Sequence, residues 1–142
     1  MRPALLDTSI YVSALRRGHD ATLALRRFAS GAPLWLSAVV LQELYAGTSD
    51  RDRPVIERME RHFDAANRIL VPNLGDWTQT GRILARLAVK YHYEPTGRVR
   101  LTNDALIAMS AGRTGIRVFT TNARDFSRLA EFRPFEWEVT AV

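Results

Sequence analysis

Asp7 closes the apolar run Ala4, Leu5, Leu6 and is followed at once by Thr8, Ser9 and the stretch Ile10, Tyr11, Val12. That pattern places a carboxylate at the end of a strand and the start of a helix. Glu43 and Asp104 sit differently. Side chains three and four residues apart share a helical face, and around Glu43 those are Val39, Val40, Ala46 and Gly47, while Asp104 has Leu101, Ala105, Ala108 and Ala111 about it. An ionised group on such a face is costly unless it is paired or metal-bound. Asn122 and Asp125 follow the apolar run Val118, Phe119, Thr120, again where a strand should hand over to a helix. Clustered carboxylates repel and raise one another's pKa, so such a set normally holds a cation. Oxygen donors alone suit the hard ions Mg²⁺ or Mn²⁺, kept partly hydrated and completed by a substrate phosphate.

Each residue also has a purely structural explanation. Asp7 is a good helix cap, and Glu43 can be half of a buried ion pair with an arginine. With Thr102 or Asn103 as a cap, Asp104 would fall in a first turn, where the backbone dipole favours negative charge. Asn122 and Asp125 have the spacing of a reciprocal cap. One shared site accounts for all of them better than four coincidences.

The elements that must position these groups alternate between short β-forming runs and longer amphipathic stretches, which argues for crossover units and a parallel sheet. Strands are expected at residues 3–6, 34–36, 69–71, 117–120 and 136–139. Ser37 should cap a helix carrying Glu43 to Ala46, with Gly47 and Thr48 as its stop. Ile83, Leu84, Leu87, Ala88 and Tyr91 keep helical spacing, with Arg82, Arg86 and Lys90 on another stripe; Pro95 and Gly97 are expected to end that helix. The fold class is α/β: a three-layer α/β/α sandwich on a central parallel sheet of four or five strands. Ligands of such sheets sit outside the strands' carboxyl ends, where Asp7 lies.

The 142 residues suit one domain spanning 1–142. Without cysteine, disulfides and thiolate zinc sites are excluded. The N-terminal apolar run is cut by Asp7, and the longest apolar stretch, Ala32 to Leu41, is broken by Ser37 and too short to span a bilayer. A soluble, cytoplasmic protein without membrane partners is expected. The net charge of +5, from 20 basic and 15 acidic residues with all the basic ones but Lys90 arginine, favours polyanionic partners and gains meaning beside an acidic site. His19, His62 and His92 show no ligand pairing at helical spacing.

Four stretches carry a resemblance that runs nearly end to end: Leu5 to Ser9, Val40 to Leu44, Thr102 to Ala108 and Thr120 to Phe126. In their order and spacing the chain resembles PIN-domain ribonucleases, and within them the VapC-type toxins of bacterial toxin-antitoxin systems. The resemblance implies that Asp7, Glu43 and Asp104 bind the metal, with the Thr8 or Ser9 hydroxyls assisting. The fourth family position is usually an aspartate; here it is Asn122, with Asp125 three residues on, so either residue can complete the catalytic set. A neutral amide supplies less charge, which favours one tightly held Mg²⁺, or Mn²⁺, and a second ion only with RNA. The implied reaction is hydrolysis of an RNA phosphodiester by a metal-activated water, leaving a 3′-hydroxyl and a 5′-phosphate. The implied partners are the RNA substrate, a VapB-like antitoxin and a second copy of the chain in a homodimer.

Arg98 and Arg100 flank the approach to Asp104 and are expected to contact the RNA backbone; Arg82, Arg86 and Lys90 fit either that role or a solvated face. A phosphoacceptor signalling domain would need an acidic pair on the first loop and a late lysine, and neither is present. The quartet Gly112 to Gly115 could clamp a nucleic-acid backbone, but it falls where a helix must stop. A catalytically silent PIN scaffold is the strongest rival, because of Asn122.

Overall fold

The three residues of strand β1 (Ala4–Leu6) are 2%, 0% and 0% exposed, so the run is apolar throughout rather than alternating, as expected for a strand covered on both faces. A computed structural model of the protein describes residues 2–17 and 31–140. In it β1 is the middle strand of five. The others are β2 (Leu34–Ser37), β3 (Ile69–Leu70), β4 (Arg117–Thr120) and β5 (Trp137–Val139), in the order β3-β2-β1-β4-β5. Every pairing is parallel, with Leu5 opposite Trp35 on one side and Val118 on the other.

The chain therefore builds outward from β1 through β2 to β3, then returns to the other side of β1 for β4 and β5. That reversal is a topological switch point, which opens a crevice beyond the carboxyl ends of β1 and β4. Asp7 follows β1 directly, and its backbone N–H donates to the Phe119 carbonyl of β4 at 2.8 Å.

Six helices among the described residues cover the sheet: α1 (Thr8–Arg16), α2 (Ala38–Gly47), α3 (Arg53–Ala65), α4 (Leu74–Tyr91), α5 (Pro95–Thr114) and α6 (Ala123–Phe132). Helices α1 to α3 pack in succession, α4 to α6 pack on one another, and α2 meets α5. Together with the sheet they form the three-layer α/β/α sandwich. Helix α3 shows how each face is chosen: Ile56, Met59 and Phe63 recur at helical spacing and are buried, with charged residues between them. Leu5, Leu36, Ile107, Val118, Phe126 and Leu129 are fully buried at the centre. None of the described helices is long and apolar enough to cross a membrane.

Two boundaries differ from the sequence expectation. Helix α4 ends at Tyr91 because His92 turns left-handed (φ 54°) while its N–H still reaches the Ala88 carbonyl. Pro95 and Gly97 do not end it. Pro95 instead opens α5 at a first-turn position, after an extended Glu94, where a missing N–H costs nothing and the ring's fixed φ suits the helix. Asp104 consequently lies in the middle of a 20-residue helix, not in a first turn capped by Thr102 or Asn103.

At the other end Gly115 adopts φ 73°, and its N–H donates to the Ala111 and Gly112 carbonyls. The quartet Gly112 to Gly115 thus serves as the helix stop and turns the chain into β4. A Cβ on Gly115 would meet no heavy atom within 4 Å, so only backbone strain opposes one. Gly115→Ala is predicted to lower stability by about 1–2 kcal/mol, with Gly115→Asn losing less, in urea denaturation. An unchanged midpoint for the alanine variant would contradict the left-handed stop.

Candidate metal-carboxylate site

Asp7 is both cap and site residue. As the N-cap of α1 it has an extended backbone, and its Oδ1 accepts from the Thr8 N–H at 2.7 Å. Its Oδ2 turns to β4, accepting from the Thr120 hydroxyl at 2.7 Å and the Ser9 hydroxyl at 3.2 Å. The residue is 3% exposed. Burial raises its pKa above the ordinary carboxylate value, against the pull of those three donors.

Glu43 lies on α2, which starts from the Ser37 cap as expected. It is half-buried rather than enclosed, since Ala46 and Gly47 on its C-terminal side are exposed. Among the described residues no arginine forms an ion pair with it. The Thr8 hydroxyl donates to Oε1 at 2.8 Å, and Asn103 contributes a further side-chain hydrogen bond. Burial raises its pKa, the charge on Asp7 adds to that, and Arg100 opposes it.

Asp104 is an acid on an apolar helical face. It is 6% exposed on α5, among Leu101, Ala105 and Ala108, which are all fully buried. Burial comes first, then repulsion from Asp7, Glu43 and Asp125, and together they push its pKa up to about 8; Arg100 opposes them. The carboxylates of Asp7, Glu43 and Asp104 are thus close enough to feel one another. Among the described residues, though, no three acidic or histidine side chains stand ready-made around a single ion position. Their oxygens are turned to hydroxyl and amide donors instead, and binding a cation means exchanging some of those bonds.

Asn122 caps α6, its Oδ1 accepting from the Asp125 N–H at 3.3 Å, while its Nδ2 donates to Asp125 Oδ2 at 3.0 Å and Asp104 Oδ2 at 3.3 Å. Half of the expected reciprocal cap is present: the Asn122 side chain caps the helix, but its own N–H donates to the Thr120 hydroxyl rather than to Asp125. The Asn122 amide ties Asp125 to Asp104. Asp125 is 4% exposed, and its Oδ1 accepts from Tyr93 Oη at 3.4 Å and Arg124 Nε at 3.3 Å.

Thr120 was not singled out from sequence as a site residue. Fully buried at the end of β4, it donates to Asp7 and accepts from the Asn122 N–H at 3.0 Å. Only the adjacency of β1 and β4 reveals it. Arg98 and Arg100 are both exposed on α5, but two residues along a helix are turned by about 200°. Arg100 is the one that influences Glu43 and Asp104. His62 and His92 are exposed, and His19 lies outside the described residues.

A set of carboxylates with hydroxyl and amide neighbours and, among the described residues, no histidine beside them fits a hard divalent ion by donor chemistry. Mutual repulsion gives such an ion something to relieve.

With the fold and this crevice in view, the chain is seen to match the PIN domain family over residues 4–132, and it belongs to that family. VapBC2 from Rickettsia felis, bound to a promoter DNA fragment, superposes with a TM-score of 0.68 at 22% identity, covering 98% of this chain and 99% of that one. DNA-bound VapBC from Salmonella typhimurium gives 0.66 at 24% identity, covering 98% of each chain. VapBC-1 from nontypeable Haemophilus influenzae gives 0.62 at 20% identity, covering 96% and 97%. At these identities the likeness establishes the shared fold. No curated protein matches the chain significantly.

The sign of Asp104's shift yields a stability prediction. Its pKa, raised from 3.8 to about 8 in the fold, makes the neutral acid favour folding. That contribution is complete below about pH 4 and is lost as pH rises through about 8. In EDTA, thermal unfolding should show the protein losing stability between about pH 4 and about pH 8 and levelling off above that, and Asp104→Asn should be several degrees more stable at the upper end. A variant no more stable than wild type there would contradict the buried, repelled carboxylate.

Proposed function

We propose that this protein is a Mg²⁺- or Mn²⁺-dependent endoribonuclease and the toxin of a VapC-type toxin-antitoxin pair. The observation that carries the reading is the placement of Asp7 and Asp104, buried and mutually repelling with Glu43 beside them, at the switch-point crevice. Membership of the PIN family and the fold shared with VapBC proteins support it.

In this reading Asp7, Glu43 and Asp104 hold the ion, which when bound supplies charge neutralisation at the phosphodiester and activation of water near neutral pH. The other residues prepare those three. Thr120 and Ser9 fix the Asp7 carboxylate from two sides, Thr8 fixes Glu43, and Asn122 fixes Asp104. Asn122 and Asp125 complete the catalytic set as an orienting pair, because the Asn122 side chain is already committed to the α6 cap and to both acids. Arg100 offsets the accumulated negative charge that would otherwise repel an RNA backbone. One domain, acting in the cytoplasm, as a homodimer blocked by a VapB-like antitoxin, completes the proposal.

A PIN scaffold without catalysis is the second reading, and Asn122 is the observation on its side, since an amide stands where an acid would add charge. One assay separates them. The purified chain should cut single-stranded RNA with Mg²⁺ or Mn²⁺ and stop in EDTA. Asp7→Asn and Asp104→Asn should each lose at least about 100-fold in rate while keeping the wild-type circular dichroism spectrum. Cleavage that survives chelation, or persists in both variants, would contradict the nuclease reading; intact RNA under all metal conditions would favour the scaffold.

A further inference from the structure

Beside the carboxylates, between the start of α5 and the start of α6, lies a recess of about 170 Å³ lined by Tyr93, Gly97, Arg100, Arg124 and Asp125. It borders the acidic crevice on two counts. Arg100 acts on Glu43 and Asp104, and Asp125 shares the Asn122 amide with Asp104. The carboxylate in its wall is already matched, by Tyr93 Oη and Arg124 Nε on one oxygen and Asn122 Nδ2 on the other. What the recess offers is therefore two exposed guanidinium groups and an aromatic wall.

That wall is held in place. Tyr91 meets the Tyr93 ring edge-on at 6.4 Å, and Arg128 donates to Tyr93 Oη at 3.1 Å while lying over the Tyr91 ring at 4.1 Å. Glu131 accepts from Tyr91 and Lys90 at the outer end. On the inner side, a Cβ at Gly97 would sit 3.5 Å from Tyr93 Cδ1, so the absence of a side chain there leaves the ring approachable. Guanidinium groups recognise phosphate oxygens in a bidentate manner, and aromatic rings stack on unpaired bases of any sequence. A duplex keeps its bases stacked on one another and cannot offer one to the ring.

We infer that this recess is the subsite for the nucleotide beside the scissile bond of a single-stranded RNA, with Arg100 and Arg124 holding its phosphate and Tyr93 packing against its base. The inference rests on the carboxylates being an RNA-cutting centre, and it adds a positioning role for Tyr93 and Arg124 that does not involve the ion.

Binding of a short fluorescein-labelled single-stranded RNA, followed by anisotropy in EDTA, tests it without requiring cleavage. Tyr93→Ala should weaken Kd by about 5- to 150-fold, the effect of losing one base–aromatic stack. Tyr93→Phe keeps the ring but loses the hydroxyl that Arg128 and Asp125 hold, and should recover most of the affinity lost in Tyr93→Ala. Arg100→Ala and Arg124→Ala should each reduce the slope of log K against log salt by about 0.7. Gly97→Leu keeps a good helix former on α5 and should weaken binding by filling the recess. Binding of the same sequence as a duplex should be indifferent to Tyr93→Ala.

Wild-type affinity in Tyr93→Ala, or an equal loss in Tyr93→Phe, overturns the stacking role, and failure of the wild-type chain to bind overturns the subsite. If the chain binds with this tyrosine dependence but never cuts RNA with Mg²⁺, the recess stands as a single-stranded RNA site, and the cleavage reading falls together with the placement beside a scissile bond. If it cuts RNA and the variants bind and cut like wild type, the subsite alone falls.

Discussion

Burial of carboxylates beside one another, with their mutual repulsion added to it, is the constraint on which this site depends. Left to itself, each of Asp7, Glu43 and Asp104 would move toward solvent or bind a proton. The fold prevents the first, because Asp7 is anchored by its cap and by β4, and Asp104 by the apolar packing of α5. It only partly relieves the second, through short hydrogen bonds from Thr8, Ser9 and Thr120 and through the Arg100 charge. The balance left over is free energy that a divalent cation can release on binding, which stabilises the folded chain by mass action.

The sheet order determines which groups share that crevice. β1 and β4 are adjacent although more than a hundred residues separate them in the chain, and their pairing places Asp7 against Thr120, whose hydroxyl in turn holds the N–H of Asn122, the α6 cap. Small residues do the rest. Ala105, Ala108 and Ala111 are all fully buried on α5, and a helix with so little bulk on its inner face can approach the sheet closely, bringing Asp104 down to the strand ends. One turn before Asp104, on the same side of the helix, stands Arg100, so one element supplies both a buried acid and a cation that eases it.

Much of this arrangement was legible beforehand. Each expected strand lies within one residue of its observed bounds, because short buried β-forming runs separated by amphipathic stretches leave few alternatives. Acids at strand ends and on apolar helical faces were equally readable. Other features were ambiguous locally. A proline after a helical stretch can end one helix or begin the next, and at Pro95 it begins one, which moved Asp104 from a first turn to mid-helix. Glu43 looked more enclosed than it is, since the small residues Ala46 and Gly47 read as core and face solvent. Thr120 and Tyr93 were invisible for a deeper reason: each acts on a partner that only long-range packing brings near, Asp7 for one and Asp125 for the other. Arg98 and Arg100, close in sequence, point about 200° apart around α5, and Arg100 is the one that acts on the carboxylates.

The central claim is that Asp7, Glu43 and Asp104 serve one divalent ion. Crystals of the wild-type chain grown with Mn²⁺ and measured at the manganese absorption edge test it most directly. A single anomalous peak within about 2.0–2.3 Å of an oxygen from each of the three carboxylates is the predicted result. A peak elsewhere on the molecule, or none at the crevice under saturating Mn²⁺, would contradict it.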